Sequence, residues 1–481
     1  MHLSPHDIFT GSVAMAIIVL TWVCAAIAIK NKLLTKFLGR KFLHVAAICT
    51  CAWAIQHFED RNLLAYIFLT FFFILLAMIR KGWMQVNDQT TYGIALFPLA
   101  FALLLFMPVI PTNIIVYAVL ILGISDALAG IAGQYIGKRK ILFLAEEKSW
   151  AGFAAFYISA FIISLFYFND FSAYGILLCI LLALLPAVTE LFSYRGSDNF
   201  TVPIFTVAWV LLIHDSTGDQ PLALLTAALL FAGLSIFAQY QKWLTSSGAM
   251  AAFWMALLLY ASGGLKVFIA PGIFLITGSL LSKLNKDQKE KAGRNAQQVF
   301  ANGITGVILI FIYGILHQHV YLMEAFGIRE YQSLLILGNI SFCISMADSA
   351  SSELGIYLKG DVYDIISFKE MPVGVSGGVS LQGTIAGLAG AMLLAFPIVI
   401  IYSYPFIAFI WFSLIGFIGM LVDSILGSLL QVKYKTIGGI LTDEAMPGAK
   451  KVKGFSWCTN DWVNIISNLL VTLLFFYISK Q

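Results

Sequence analysis

A polytopic bundle of transmembrane α-helices is the architecture this chain encodes, with roughly 14–16 helices in two related parallel halves. Three observations point to it. The 481 residues are 60% hydrophobic and only 11% charged, where soluble domains carry about 25% charge. Mean hydropathy is +0.89. Apolar runs separated by short polar stretches extend from one end to the other, which is the pattern of repeated membrane crossings.

The runs fall at about 8–29, 42–57, 63–79, 92–109, 114–137, 151–168, 173–192 and 200–213, then 221–239, 247–261, 267–282, 297–316, 332–357, 378–401, 406–431 and 460–478. The first lacks a basic leader and a small-residue cleavage site, so it reads as a retained span. The runs at 42–57, 200–213 and 247–261 are short, and a re-entrant course stays open for them. Basic loops at 30–41, 80–81, 137–140, 282–294, 359–369 and 433–453 alternate with NDFS (169–172), HDSTGDQ (214–220) and PTN (111–113). Under these spans the basic loops share one side, which the positive-inside rule makes cytoplasmic. An integral inner (cell) membrane protein with its N-terminus outside is expected.

Six cysteines lie at 24, 49, 51, 179, 343 and 458 with no CxxC pair, so they read as small buried hydrophobes. The net charge of +4 is too small to imply a nucleic-acid partner.

Two stretches repeat: ISDALAGIAGQYIGK (124–138) and MADSASSELGIYLKG (346–360). Placing Asp126 on Asp348 aligns Gly133 with Gly355 and Tyr135 with Tyr357. KSWAGFAAF (148–156) then matches VSLQGTIAG (379–387), Ser149 on Ser380. An acid ends a later run in each half, Glu190 and Asp423, and SDNFTV (197–202) or TNDWVN (459–464) opens the next helix. Small residues recur because helices pack through them, but that does not account for intramembrane acids in one order. The repeat implies a parallel duplication, with domains at 1–240 and 241–481 meeting at the polar seam QYQKWLTSSG (239–248).

A carboxylate in hydrocarbon costs about 2.5–3.5 kcal/mol on insertion scales and needs a partner, a cavity or a cation. In each half the acids gather with amides near one face: Asp126, Glu190, Asp198 and Asn199, then Asp348, Asp423, Asp461, Asn460 and Asn464. Oxygen-only sets of this kind suit Mg²⁺. Among the cations, Lys138 ends the Asp126 helix, and Lys148 and Arg294 each precede a helix carrying polar residues. GVSGGVSLQG (374–383), with Gly377 and Gly378, opens a helix with exposed N–H groups suited to phosphate. His44 stands one turn from Arg40 on the same helix face, placed for a base or a phosphate contact. Metal and phosphate together point to phosphoryl or nucleotidyl transfer, without a Walker or protein-kinase motif.

At these residues the halves resemble two families. RKFLH (40–44), SDALAGIAGQYIGKRKI (125–141), EKSWAGF (147–153) and TELFSYRGSDNFTVP (189–203) resemble the phytol and dolichol kinases, which are related to phosphatidate cytidylyltransferases. GRNAQQVFANG (293–303), MADSASSELG (346–355), GVSGGVSLQGTIAGLAG (374–390), GFIGMLVDSILGSLLQ (416–431) and TNDWVNIISN (459–468) are similar to the family of plant phytyl-phosphate kinase and transmembrane protein 19. The second motif set adds Asn302, Ser352 and Glu353 to the candidate site. The resemblance implies a fusion: an isoprenoid alcohol kinase followed by an isoprenyl-phosphate kinase. It implies Asp126, Asp348 and Asp423 as catalytic residues, a nucleoside triphosphate (CTP or ATP), Mg²⁺, and a membrane lipid substrate. Two other readings stay open on sequence, a CDP-lipid-forming cytidylyltransferase and an ion-coupled transporter, as does a homo-oligomeric state.

Overall fold

The computed structural model describes residues 4–82, 93–108, 110–141, 148–193, 196–213, 220–284, 293–319 and 330–478. Among them, fourteen helices are long and apolar enough to cross a membrane, and two apolar helices are shorter. In chain order they are α1 Pro5–Lys30, α2 Lys36–His57, α3 Arg61–Arg80, α4 Gly93–Phe106, α5 Thr112–Tyr135, α6 Trp150–Phe168, α7 Ala173–Phe192 and α8 Asp198–Ile213. Then come α9 Gln220–Tyr240, α10 Ser246–Gly263, α11 Leu265–Leu284, α12 Ala296–Gln318, α13 Gln332–Tyr357, α14 Leu381–Ile401, α15 Phe406–Leu429 and α16 Asn460–Ile478. The runs expected at 42–57 and 247–261 are full-length spans. The short ones are α4 and α8, about 21 and 24 Å long at 1.5 Å per residue, less than the hydrocarbon thickness.

Short strands supplement the helices. In the α13–α14 loop, β1 (Tyr363–Asp364) pairs antiparallel with β2 (Gly378–Val379). Between α15 and α16, β3 (Lys433–Lys435) pairs antiparallel with β4 (Leu441–Thr442) and β5 (Lys450–Lys453). The basic loops at 359–369 and 433–453 are therefore partly ordered as sheet. Positive φ at Gly374, Gly377, Gly439 and Gly448 makes the turns that allow it.

The chain forms two compact units, Met1–Ala223 and Leu224–Gln481. The polar seam at 239–248 falls inside the second, as the tight turn from α9 to α10. In the first unit α5 is the central helix, touching α2, α6 and α8, and Tyr117, Phe101, Phe156 and Trp209 are fully buried. In the second, α13 is central and touches α11, α12, α14, α15 and α16. By contrast, α1 exposes Ile8, Phe9, Leu20 and Trp22, a surface suited to lipid.

Glycine sets the closest approaches. On α14, a β-carbon at Gly383, Gly387 or Gly390 would lie 3.1, 3.2 or 2.9 Å from the Ser351, Ala347 or Met346 carbonyl oxygen of α13. One small residue per turn lets the two backbones touch. The first unit repeats the contact: a β-carbon at Gly152 would lie 3.0 Å from the Ala129 carbonyl. Ala129 and Ser351 each sit three residues beyond the repeated aspartate. Ser149 and Ser380 cap α6 and α14, each accepting the Gly152 or Gly383 N–H at 3.1 Å.

Elsewhere Arg61 satisfies carbonyls at and just beyond the C-terminal end of α4: Leu104 and Leu105 at 2.8 Å, Met107 at 2.8 Å and Ile110 at 2.6 Å. These C=O groups would otherwise lack partners away from water.

Gly390→Val should force α13 and α14 apart and lower stability by about 1–3 kcal/mol, the usual cost of overpacking. Gly233→Ala, where nothing lies within 4 Å of the added carbon, should be neutral or slightly stabilising. Thermal unfolding in detergent checks the pair.

Candidate functional site

In the first unit, Asp126 directly succeeds a π-helical turn, Ile121–Ser125. Such turns insert a residue and re-aim the side chains beyond them, often at functional positions. The Asp126 carboxylate meets Lys41 Nζ at 2.9 Å and His44 Nε2 at 3.6 Å. Lys41 also donates to the Asp126 carbonyl at 3.4 Å. Across the site Lys148 Nζ meets Glu190 Oε1 at 2.8 Å and also donates to the Glu190 carbonyl. Asp198, at the first turn of α8, lies within electrostatic reach of Asp126, Lys148 and Glu190. Five helices or helix approaches thus bring three acids, two lysines and a histidine together. Lys41 and Lys148 are both largely buried, at 17% and 16% side-chain exposure, so these pairs are not solvated surface bridges. His44 Nε2 is buried without a hydrogen-bond partner.

In the second unit the charges of Asp348 (α13) and Asp423 (α15) act on each other. Among the described residues neither forms a salt bridge. Asp423 is 6% exposed, and Ser467 donates to its Oδ2 at 2.7 Å. Asn464 reaches Asn302 Oδ1 at 3.3 Å, and with its amide turned over it donates to Asp423 Oδ2 at 3.2 Å. Arg294 lies within electrostatic reach of Glu353 and Asp348. It is held by the Gly278 carbonyl at 3.2 Å, while Ser282 donates to Glu353 Oε1 at 2.7 Å. Asn468 donates to Ser341 O at 3.0 Å and Ser345 Oγ at 2.9 Å. Ser345 in turn donates to the Asn302 carbonyl at 2.6 Å, closing a polar network across α12, α13, α15 and α16.

Other expected site residues are placed differently. Arg40 is exposed, its guanidinium over the Phe37 ring at 5.9 Å; Lys41, one position on, makes the contact. Lys138 is exposed at the end of α5. Asn199 is half-buried beside Asp198. The Ser352 hydroxyl is spent on its own helix, at the Asp348 and Ser349 carbonyls. Asn460 is exposed, and no charge acts on Asp461 from the described residues.

Gly133 packs against the Ser149 hydroxyl, where an added β-carbon would lie at 3.3 Å. Gly377 takes φ +82° with its α-carbon against the Ser428 backbone, and Gly378 pairs with Asp364. These glycines seat the loop; Ser376 N–H already donates to Asp443 at 2.7 Å, and Lys433 Nζ to the Ser376 carbonyl at 2.7 Å.

Lys41, Ser467 and Asn468 were not among the expected site residues. Helical spacing from Asn464 reaches Ser467 and Asn468 at i+3 and i+4, a signal present in the sequence.

Oxygen-only donors fit Mg²⁺ better in the second unit, where Asp348 and Asp423 carry no ammonium, than in the first, where lysines occupy the carboxylates. Among the described residues, His6, Asp7 and Glu59 bring three carboxylate or imidazole donor atoms within 4.8 Å of one another.

The family described as integral membrane protein DUF92 matches residues 229–472, just over half the chain. The chain is 28% identical over 239 residues to the chloroplast protein VTE6 of Arabidopsis thaliana, covering 47% of this chain and 62% of that protein. It is 27% identical over 226 residues to an uncharacterised membrane protein of Synechocystis, covering 44% and 81%. A phytol kinase of Synechocystis is 26% identical over 96 residues, 19% of this chain and 41% of that enzyme. No solved structure matches the chain.

The α13–α14 loop is anchored by Asp364, which accepts from Ile366 N–H at 3.0 Å, Ser367 N–H at 2.7 Å and Ser428 Oγ at 2.7 Å. Burial alone would raise this carboxyl, but those donors hold it down to about 2. Its stabilisation is present above the ordinary carboxyl range near 3.9 and lost as pH falls toward about 2. The stability gap between wild type and Asp364→Asn should therefore shrink between about pH 4 and about pH 2. Thermal unfolding across that range checks it; a constant gap contradicts it.

Proposed function

The chain belongs to the integral membrane protein DUF92 family, and from that premise we propose that it is a membrane phosphotransferase acting on isoprenoid substrates. The first unit phosphorylates an isoprenoid alcohol, and the second adds a phosphate to the isoprenyl monophosphate. The likeness to an enzyme named phytol kinase supports the chemistry. One observation carries the division of labour: the first acid cluster contains a histidine, and the second contains the half-buried Arg294 in its stead.

A neutral alcohol must lose a proton as its oxygen attacks phosphorus, so its site needs a base. His44 Nε2, without a hydrogen-bond partner and 3.6 Å from Asp126, is that base, and Asp126 stabilises the imidazolium that forms. The alcohol oxygen bonds to the γ-phosphorus, the bridging P–O bond breaks, and the nucleoside diphosphate leaves. Lys41 and Lys148, now paired with acids, are poised to turn to phosphate oxygens. A monophosphate is already an anionic nucleophile. It needs a cation to bring it beside a triphosphate, and Arg294 provides one. Asp348, Asp423 and Asn464 would hold Mg²⁺, which when bound neutralises charge on the transferring phosphoryl group.

His44→Gln should lower alcohol phosphorylation by about 10²-fold or more, the usual contribution of a general base, and leave monophosphate phosphorylation unchanged. Asp126→Asn should act in the same direction. Asp348→Asn and Asp423→Asn should do the reverse and accumulate monophosphate. Lipid-product mass spectrometry of purified protein given a prenol panel and each nucleotide reads all four. Equal loss of both activities in folded protein contradicts the two-site reading.

A further inference from the structure

The second unit contains a cavity of about 250 Å³ between α9, α10, α11, α12 and α13. One part of its wall is polar, from Arg294, Gln298 and Asn302; the remainder is apolar, including Phe231, Met255 and Phe268. The polar part belongs to the acid cluster, because Arg294 acts on Asp348 and Asn302 meets Asn464. Phe274 lines the cavity as well and underlies the Arg294 guanidinium at 5.8 Å. At the α9–α11 side of the cavity, the Phe231 and Phe268 rings meet at a tilt with centroids 4.5 Å apart, and Tyr260 stands edge-on to Phe231 at 5.9 Å.

We infer that this cavity binds the hydrocarbon chain of a single-chain isoprenyl monophosphate, with the phosphate at Arg294 and the chain end against the Phe231–Phe268 pair, which sets the chain length accepted. The inference rests on the function proposed above and specifies its substrate. Three features favour this occupant over bilayer lipid. Arg294 gives the otherwise apolar cavity one cationic end beside the acid cluster, where a phosphate would seat. The volume lies just below the range of about 300–1,000 Å³ usual for small-molecule pockets, which suits one chain rather than two acyl tails. Met255 and the aromatic rings offer the adaptable, flat surface that methyl-branched chains pack against.

The cavity runs along α9 from Ala238 to Phe231 and along α10 from Ala252 to Leu259, about two turns or ~10 Å on each helix. Removing the aromatic floor should lengthen the chain accepted, and filling the middle should shorten it. Phe231→Ala is expected to shift the kcat/KM optimum of monophosphate phosphorylation toward longer prenyl chains by about tenfold relative to wild type. Ala256→Phe is expected to shift it toward shorter ones.

The test uses the full chain in nanodiscs. A panel of isoprenyl monophosphates of increasing length is assayed as substrate, and an isoprenyl monophosphate bearing a terminal diazirine is photolysed and its adducts mapped. Labelling of Phe231, Met255 or Phe268, competed by unlabelled isoprenyl monophosphate but not by phosphatidylglycerol, supports the inference. Labelling confined to outward residues such as Leu229, Leu230 and Ile236, or selectivity unchanged in both folded variants, overturns it. If either variant fails to fold, the wild-type labelling pattern decides. Competed labelling without phosphoryl transfer would sink the kinase reading and leave the chain site standing. Transfer with labelling elsewhere would do the opposite.

Discussion

A carboxylate cannot be left alone among apolar helices, and how this chain satisfies its buried acids governs the arrangement around them. Each acid costs several kcal/mol unless it is paired, hydrogen-bonded or solvated. The first unit meets that demand with ammonium groups, Lys41 on Asp126 and Lys148 on Glu190. The second meets it with a hydroxyl and an amide on Asp423, and with Arg294 within electrostatic reach of Asp348 and Glu353. Hydroxyl and amide donors are weaker partners than an ammonium for full charge. Asp423 is thus the better host for an external cation, whereas Asp126 and Glu190 in the first cluster are already paired with lysines.

The clusters share one scaffold. In both units a glycine of the next helix lies against a carbonyl three residues beyond the aspartate, and a serine caps that helix over the contact. Backbone contact of this kind fixes the axial position of the aspartate to within a fraction of a turn, because neither helix can slide without a clash. The π-helical turn before Asp126 marks where the units diverge: α13 runs through Asp348 as regular α-helix.

The helices were legible because hydropathy is a local signal. The acids were legible because polar residues in apolar runs need a reason to be there. The partners were not. Arg40 and Lys41 are neighbours in sequence, and only the phase of α2 against α5 decides which one meets Asp126. The glycines of 374–383 read as a phosphate cradle, yet Gly377 turns against the Ser428 backbone and the N–H of neighbouring Ser376 donates to Asp443. Glycine's use in close packing and in anion binding has one sequence signature. The strands at 433–453 were hidden by their lysines, which read as topology signals. The cavity was hidden as well, because its wall is drawn from five helices whose apolar residues look alike in sequence.

The central claim is that the acid clusters serve transfer of a terminal phosphoryl group to an isoprenoid oxygen. Purified full-length protein incubated with Mg²⁺, a prenol and CTP or ATP labelled separately at the α- and γ-phosphorus tests it most directly. The predicted result is γ-label alone on the lipid, first as monophosphate and then as diphosphate. Label from the α-phosphorus on the lipid, or no transfer from either nucleotide to any prenol or prenyl phosphate, would contradict it.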